Sequence, residues 1–110
     1  MTLDDLVAYG ANVDEGLARC MGNEEFYLRM VDTVKKEDGF DKLREAIGAN
    51  DLMAAFEAAH ALKGVLGNLS LTPLFEPMNE ITELLRSETQ MDYGPLLQDI
   101  LAKWEAFLAL

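Results

Sequence analysis

The sequence predicts an all-α fold, an antiparallel bundle of helices joined by short connections. Leu, Ala, Glu and Met, all good helix formers, dominate the 110 residues, and β-branched residues are scarce. Apolar residues recur at helical spacing instead of alternating. Capping residues and glycines divide the chain into segments of helical length, and long helices with short links pack antiparallel. No internal repeat or low-complexity linker appears, and a chain of this length matches one domain. Residues 1–110 are therefore expected to form a single unit.

Short helices are expected over about 1–21. Asn12-Val13-Asp14-Glu15 reads as an N-cap with Glu at the third helical position, opening a helix that runs to about Cys20 and stops at Gly22. The bundle itself is expected over about 23–109, where the segments lengthen. Asn23 caps a helix with Glu24 and Glu25 in its first turn, where the helix dipole favours acids. Phe26, Leu28, Met30, Val31 and Val34 follow. Asp38-Gly39 interrupts this segment before Phe40, Leu43 and Ile47 continue a similar face to Gly48, as one kinked helix or as two. Asn50-Asp51 caps a helix over roughly 51–69. Thr72-Pro73 starts the next, since Pro suits the first helical position. Pro77 removes one donor a turn later, and the helix extends to about Arg86. The last helix begins at Asp92, or at Gly94 before Pro95. Its core face is Leu96, Leu97, Ile100, Leu101, Trp104, Phe107 and Leu108. Phe26, Phe40 and Phe75 are likewise expected to pack in the core.

Charge narrows the function classes. Twenty acids against nine Lys and Arg give a net charge of −11. Nucleic-acid binding needs a basic stripe and docking on an anionic membrane needs a basic face, so both are disfavoured. Half the residues are hydrophobic, which argues against disorder. The length allows a real core without disulfide or metal staples. Cys20 is the lone cysteine, which fits a reducing cytoplasm. The first residues lack the basic and apolar regions of a signal peptide. The longest apolar runs, Leu52–Phe56 and Ala106–Leu110, fall far short of the ~20 residues of a membrane helix. Met1 and the absence of a linker suggest a stand-alone protein.

The most informative helix is the one from about 51 to 69. At helical spacing Leu52, Ala55, Phe56, Ala59, Leu62, Leu66 and Leu69 form one apolar stripe. His60, the only histidine, lies off that stripe and is expected to be accessible. It shares its flank with Met53, Gly64 and Gly67, and Lys63 lies one turn away. A glycine inside a helix costs about 1 kcal/mol relative to Ala. Two on one flank need a reason, either close packing of a neighbouring helix or room for a partner approaching the imidazole. No acid occurs between Glu57 and Glu76. Such a gap fits a buried helix and turn, or a flank that tolerates an anion with Lys63 as its cation.

Ala59-His60-Ala61-Leu62-Lys63-Gly64, followed by Gly67, resembles the phosphorylation motif of histidine-containing phosphotransfer (HPt) domains. The resemblance extends to the Asn-Asp-Leu cap before the histidine, to Leu71-Thr72-Pro73-Leu74 after it and to the stretch Asp14–Arg19, and so covers most of the chain. Ser70 departs from the glycine that many members have, with little consequence expected so near a helix end. The resemblance implies a four-helix up-and-down bundle with short additional N-terminal helices, monomeric and cytoplasmic. It implies a phosphorelay intermediate in two-component signal transduction. His60 would accept a phosphoryl group on Nε2 from a receiver-domain aspartate and pass it to another receiver. Its partners would be receiver domains of response regulators or hybrid histidine kinases. Lys63 would pair with the phosphoryl oxygens. Gly64 and Gly67 would leave room for the receiver's loops, and Met53 and Phe56 would help to dock it. Metal and acidic pocket belong to the receiver, so no cofactor is implied for this chain. No glycine-rich nucleotide loop is present, which fits a phosphocarrier that does not phosphorylate itself from ATP.

Three other readings compete. Glu57-x-x-His60 has the spacing of one half of a carboxylate-bridged di-iron site, but such sites need two of these pairs and two more Glu. A Ser-His or Cys-His hydrolase pair is disfavoured because no second histidine exists, so it would have to use His60 itself as its base. A non-catalytic helical interaction module in signalling remains the alternative, with His60 incidental to it.

Overall fold

Side-chain caps open four of the seven helices in a computed structural model describing residues 1–110. The helices are α1 (Leu3–Tyr9), α2 (Val13–Arg19), α3 (Glu24–Val34), α4 (Gly39–Gly48), α5 (Leu52–Asn68), α6 (Thr72–Arg86) and α7 (Gly94–Leu108). Thr2 and Asp5 cap α1 reciprocally, at 3.1 and 2.9 Å. Asn12, Asn23 and Asp51 each accept a backbone N–H three residues on, opening α2, α3 and α5. These bonds satisfy N–H groups that have no intrahelical acceptor.

The segment from 23 to 48 is two helices. The amides of Lys35, Lys36 and Glu37 each reach back only three residues, so α3 tightens and stops. Gly39 then starts α4 with its backbone against α5. A Cβ there would lie 2.8 Å from Leu62 Cδ2. Pro77 does not break α6, although it leaves the carbonyl of Pro73 without its i+4 donor. Gly94 opens α7, its N–H donating to Asp92 Oδ1 at 2.9 Å.

Helices α4 to α7 form the bundle, so it begins at Gly39 and not near residue 23, and α3 packs with α2 outside it. Each packs on the next, and α4 meets α7 to close the ring. The links at 49–51, 69–71 and 87–93 are too short for anything but reversal, so the bundle runs up and down. Its centre is filled by Leu43, Leu62, Leu66, Leu74, Met78, Ile81, Ile100 and Phe107, all buried. Phe40 stacks on half-buried Trp104 with centroids 3.9 Å apart. No helix is long and apolar enough to cross a membrane.

The first three helices cover the end where α5 turns into α6. The Tyr9 hydroxyl donates to the Lys103 carbonyl at 2.7 Å, and its ring meets Phe107. The Asn12 N–H donates to the Ser70 carbonyl at 3.0 Å, and the Tyr27 hydroxyl to the Leu69 carbonyl at 2.8 Å. The molecule's 42 Å long axis exceeds the ~26 Å of a 17-residue helix because of this cap.

Two core expectations, Phe26 and Leu108, need correction. Phe26 is 44% exposed and Met30 37%, because the inner face of α3 is Tyr27, Val31 and Val34. Tyr27 takes the inward position because Gly16 on α2 leaves space for its ring. A Cβ on Gly16 would sit 2.5 Å from Tyr27 Cε1. Leu108 is also exposed, being on the last residue of α7 and turned away from Phe107.

Candidate functional site

His60 occupies the middle of α5. Ala55, Ala59, Leu62 and Leu66 bury the inner face of that helix, which turns the imidazole outward into solvent. One turn earlier Phe56 is half-buried and stacks with the His60 ring, centroids 5.5 Å apart and planes 20° from parallel. Two turns earlier Met53 is 76% exposed. The Arg86 guanidinium of α6 lies 5.0 Å from the Phe56 ring centre, a cation–π contact.

The two glycines of the flank have different surroundings. A Cβ on Gly64 would meet nothing within 4 Å, so the backbone beside His60 is open. A Cβ on Gly67 would lie 3.0 Å from Phe75 Cε1. Gly67 therefore seats an aromatic ring of α6, while no contact within the chain requires Gly64.

Lys63 is partly covered and forms an ion pair with Glu83 of α6, Nζ to Oε1 at 3.4 Å. The other oxygen of Glu83 pairs with Arg86 Nε at 3.3 Å. The hydrogen bond from Lys63 is the main reason the Glu83 carboxyl is held below the usual carboxylate range, and Arg86 adds to it. Sequence reasoning missed Glu83 and Arg86. Their i, i+3 spacing shows a pair on one helix, but nothing local aims it at Lys63 on another.

Beside His60 runs a groove of about 660 Å³ between α2, α5 and the start of α6. His60, Lys63 and Gly64 line one side. Asn12, Glu15 and Arg19 of α2 line the other, with Arg19 paired to Glu15 at 2.9 Å. Ser70 also lines the groove, with φ of 55° and a buried hydroxyl that has no hydrogen-bond partner. Its backbone is thus in the left-handed region that favours glycine, so the serine here does have a consequence. The acid-free span does not make an acid-free site either. Glu15 and Glu76 reach the groove and Glu83 reaches Lys63, all from outside 58–75. No three His, Cys, Asp or Glu residues are grouped as a metal site would need, and Glu57 points to solvent.

Comparison with curated proteins found no match, and comparison with solved structures found none. The family model described as the Hpt domain matches residues 36–109. That span holds all four helices of the bundle, the exposed histidine and its lysine, and about two-thirds of the chain. The chain therefore belongs to the Hpt domain family, phosphocarriers of two-component signalling.

Proposed function

We propose that the protein is a phosphorelay intermediate, taking a phosphoryl group from a receiver-domain aspartate onto His60 and giving it to another receiver. The observation that carries this reading is the exposed imidazole at mid-helix, flanked by the open backbone of Gly64 and by Lys63 one turn away. The Nε2 lone pair of neutral His60 attacks phosphorus. The N–P bond forms, the P–O bond to the donor carboxylate breaks, and its electron pair leaves with the carboxylate while Nδ1 keeps its proton. In the onward step a carboxylate of the second receiver attacks phosphorus, and the N–P pair returns to Nε2. Lys63 donates charge-assisted hydrogen bonds to the phosphoryl oxygens. Gly64 lets the receiver's loops close on the imidazole, and Gly67, by seating Phe75, shapes the groove beside it. Met53 and Phe56 supply a small apolar contact of the kind that suits a transient complex. The receiver brings the metal and the acidic pocket. This chain has no ATP-dependent kinase machinery and acts in the cytoplasm as a monomer.

The test is transfer from a phosphorylated receiver. The protein should acquire an acid-labile, base-stable label that a second receiver removes, and His60→Gln should acquire none. Label on His60→Gln would place the phosphoryl group elsewhere. Receiver binding with no label on the wild type would make the domain an interaction module.

A further inference from the structure

Lys63 does not wait free beside His60; its ammonium is held by a carboxylate on the neighbouring helix. We infer that Glu83 is a positioning residue that holds Lys63 back while His60 is bare and releases it once the imidazole carries a phosphoryl group. The inference rests on His60 being the phosphoacceptor.

Three observations lead to it. Lys63 lies at i+3 from His60, where side chains on one helix are neighbours with Cβ atoms ~5–6 Å apart, so its ammonium can turn to a group on the imidazole without backbone movement. The Lys63–Glu83 pair is long at 3.4 Å, and the Glu83 side chain is about half exposed, which makes the pair weak and exchangeable. Arg86 already holds the second oxygen of Glu83 at 3.3 Å, so losing Lys63 does not leave that carboxylate unpaired. A phosphoryl group offers Lys63 more negative charge and three acceptor oxygens, against one carboxylate oxygen now. Stacking on Phe56, which itself contacts Arg86, keeps the imidazole next to these charges. Glu83 thus competes with the phosphoryl group for one cation. Its removal should favour the phosphorylated state.

The experiment is a double-mutant cycle of Glu83→Gln and Lys63→Ala, loaded from a phosphorylated receiver. The readouts are the rate of loading and the lifetime of the isolated phosphohistidine. Glu83→Gln alone should speed loading or lengthen the lifetime by about two- to fivefold, the size expected of an exposed ion pair. In the Lys63→Ala background the same change should have no effect, because the competition needs the lysine. In the wild type, phosphorylation should move the Glu83 side-chain carboxyl ¹³C resonance, and in Lys63→Ala it should not. An equal Glu83→Gln effect with and without Lys63 would reduce Glu83 to a general negative charge and overturn the inference, as would no effect in either background. His60→Gln is the control that separates the two claims. Label persisting there defeats the assignment of the phosphoacceptor, whereas a His60-dependent label with no coupling defeats the role of Glu83 alone.

Discussion

At the scale of the residue, Gly64 and Gly67 are three positions apart on α5 and are glycine for different reasons. Open space around Gly64 means that Gly64→Ala adds helix propensity with no clash. The variant should be about 1 kcal/mol more stable in urea unfolding. On the proposed function its Cβ would stand in the path of the receiver, so transfer should fall by roughly tenfold or more, as small misplacements at a reacting centre do. Unchanged transfer rates in a stabilised variant would remove Gly64 from the docking surface. Ser70 makes the opposite case. It combines a left-handed backbone with an unpartnered buried hydroxyl, and glycine relieves both. Ser70→Gly should stabilise the fold by about 1 kcal/mol, since a Cβ in that region costs ~1–2 kcal/mol and the added freedom of the unfolded chain takes part of it back. A lower midpoint would mean that the hydroxyl has a partner in solution.

At the scale of the element, the N-terminal helices are held to the bundle by few contacts, and those contacts define one wall of the groove. Gly16 admits the Tyr27 ring, and the Tyr27 hydroxyl ties α3 to the Leu69 carbonyl at the turn that ends α5. Gly16→Ala forces a methyl group to 2.5 Å from that ring. It should cost about 1–3 kcal/mol by overpacking, read as a lower urea midpoint. It should also displace Glu15 and Arg19, which stand across the groove from His60. A midpoint equal to the wild type would show that α2 can shift freely, and that the groove wall is not fixed by this contact. The same contact explains the misread face of α3. Helical spacing marks Phe26 and Tyr27 as neighbours about 100° apart, and it took a space on α2 to decide which of them turns inward.

At the scale of the whole molecule, the charge of −11 is carried by solvated helix faces, while three tyrosine hydroxyls are covered. Burial pushes the Tyr9 phenol from 10.0 up to about 12, and burial is also the main cause that raises Tyr27 and Tyr93. The folded chain therefore keeps protons that the unfolded chain gives up. The stability linked to these groups is fully present below pH 10 and is lost as pH rises from about 10 towards 12. Urea midpoints should hold up to about pH 10 and then fall, and Tyr9→Phe should shrink that fall. An identical alkaline loss in Tyr9→Phe would assign it to other groups.

Much of the fold and part of the site are local properties of the chain. Asn12, Asn23 and Asp51 cap helices through bonds within one turn, so the starts of α2, α3 and α5 are legible in the sequence. The stripe of Ala55, Ala59, Leu62 and Leu66 turns His60 outward by helical geometry alone, and it puts Lys63 and Gly64 one turn away. What depends on other helices could not be read this way. Glu83 is 20 residues from Lys63 in the sequence and meets it only because α6 packs on α5. Arg86 reaches Phe56 for the same reason, and α2 becomes a wall of the groove only when Asn12 docks on the Ser70 carbonyl. The sequence by itself determined the helical class, most helix starts and the face that carries the histidine, because periodicity and capping act over a turn, but not the break between α3 and α4. Only the tertiary structure decided which charges stand around that histidine, because ion pairs between helices are set by packing.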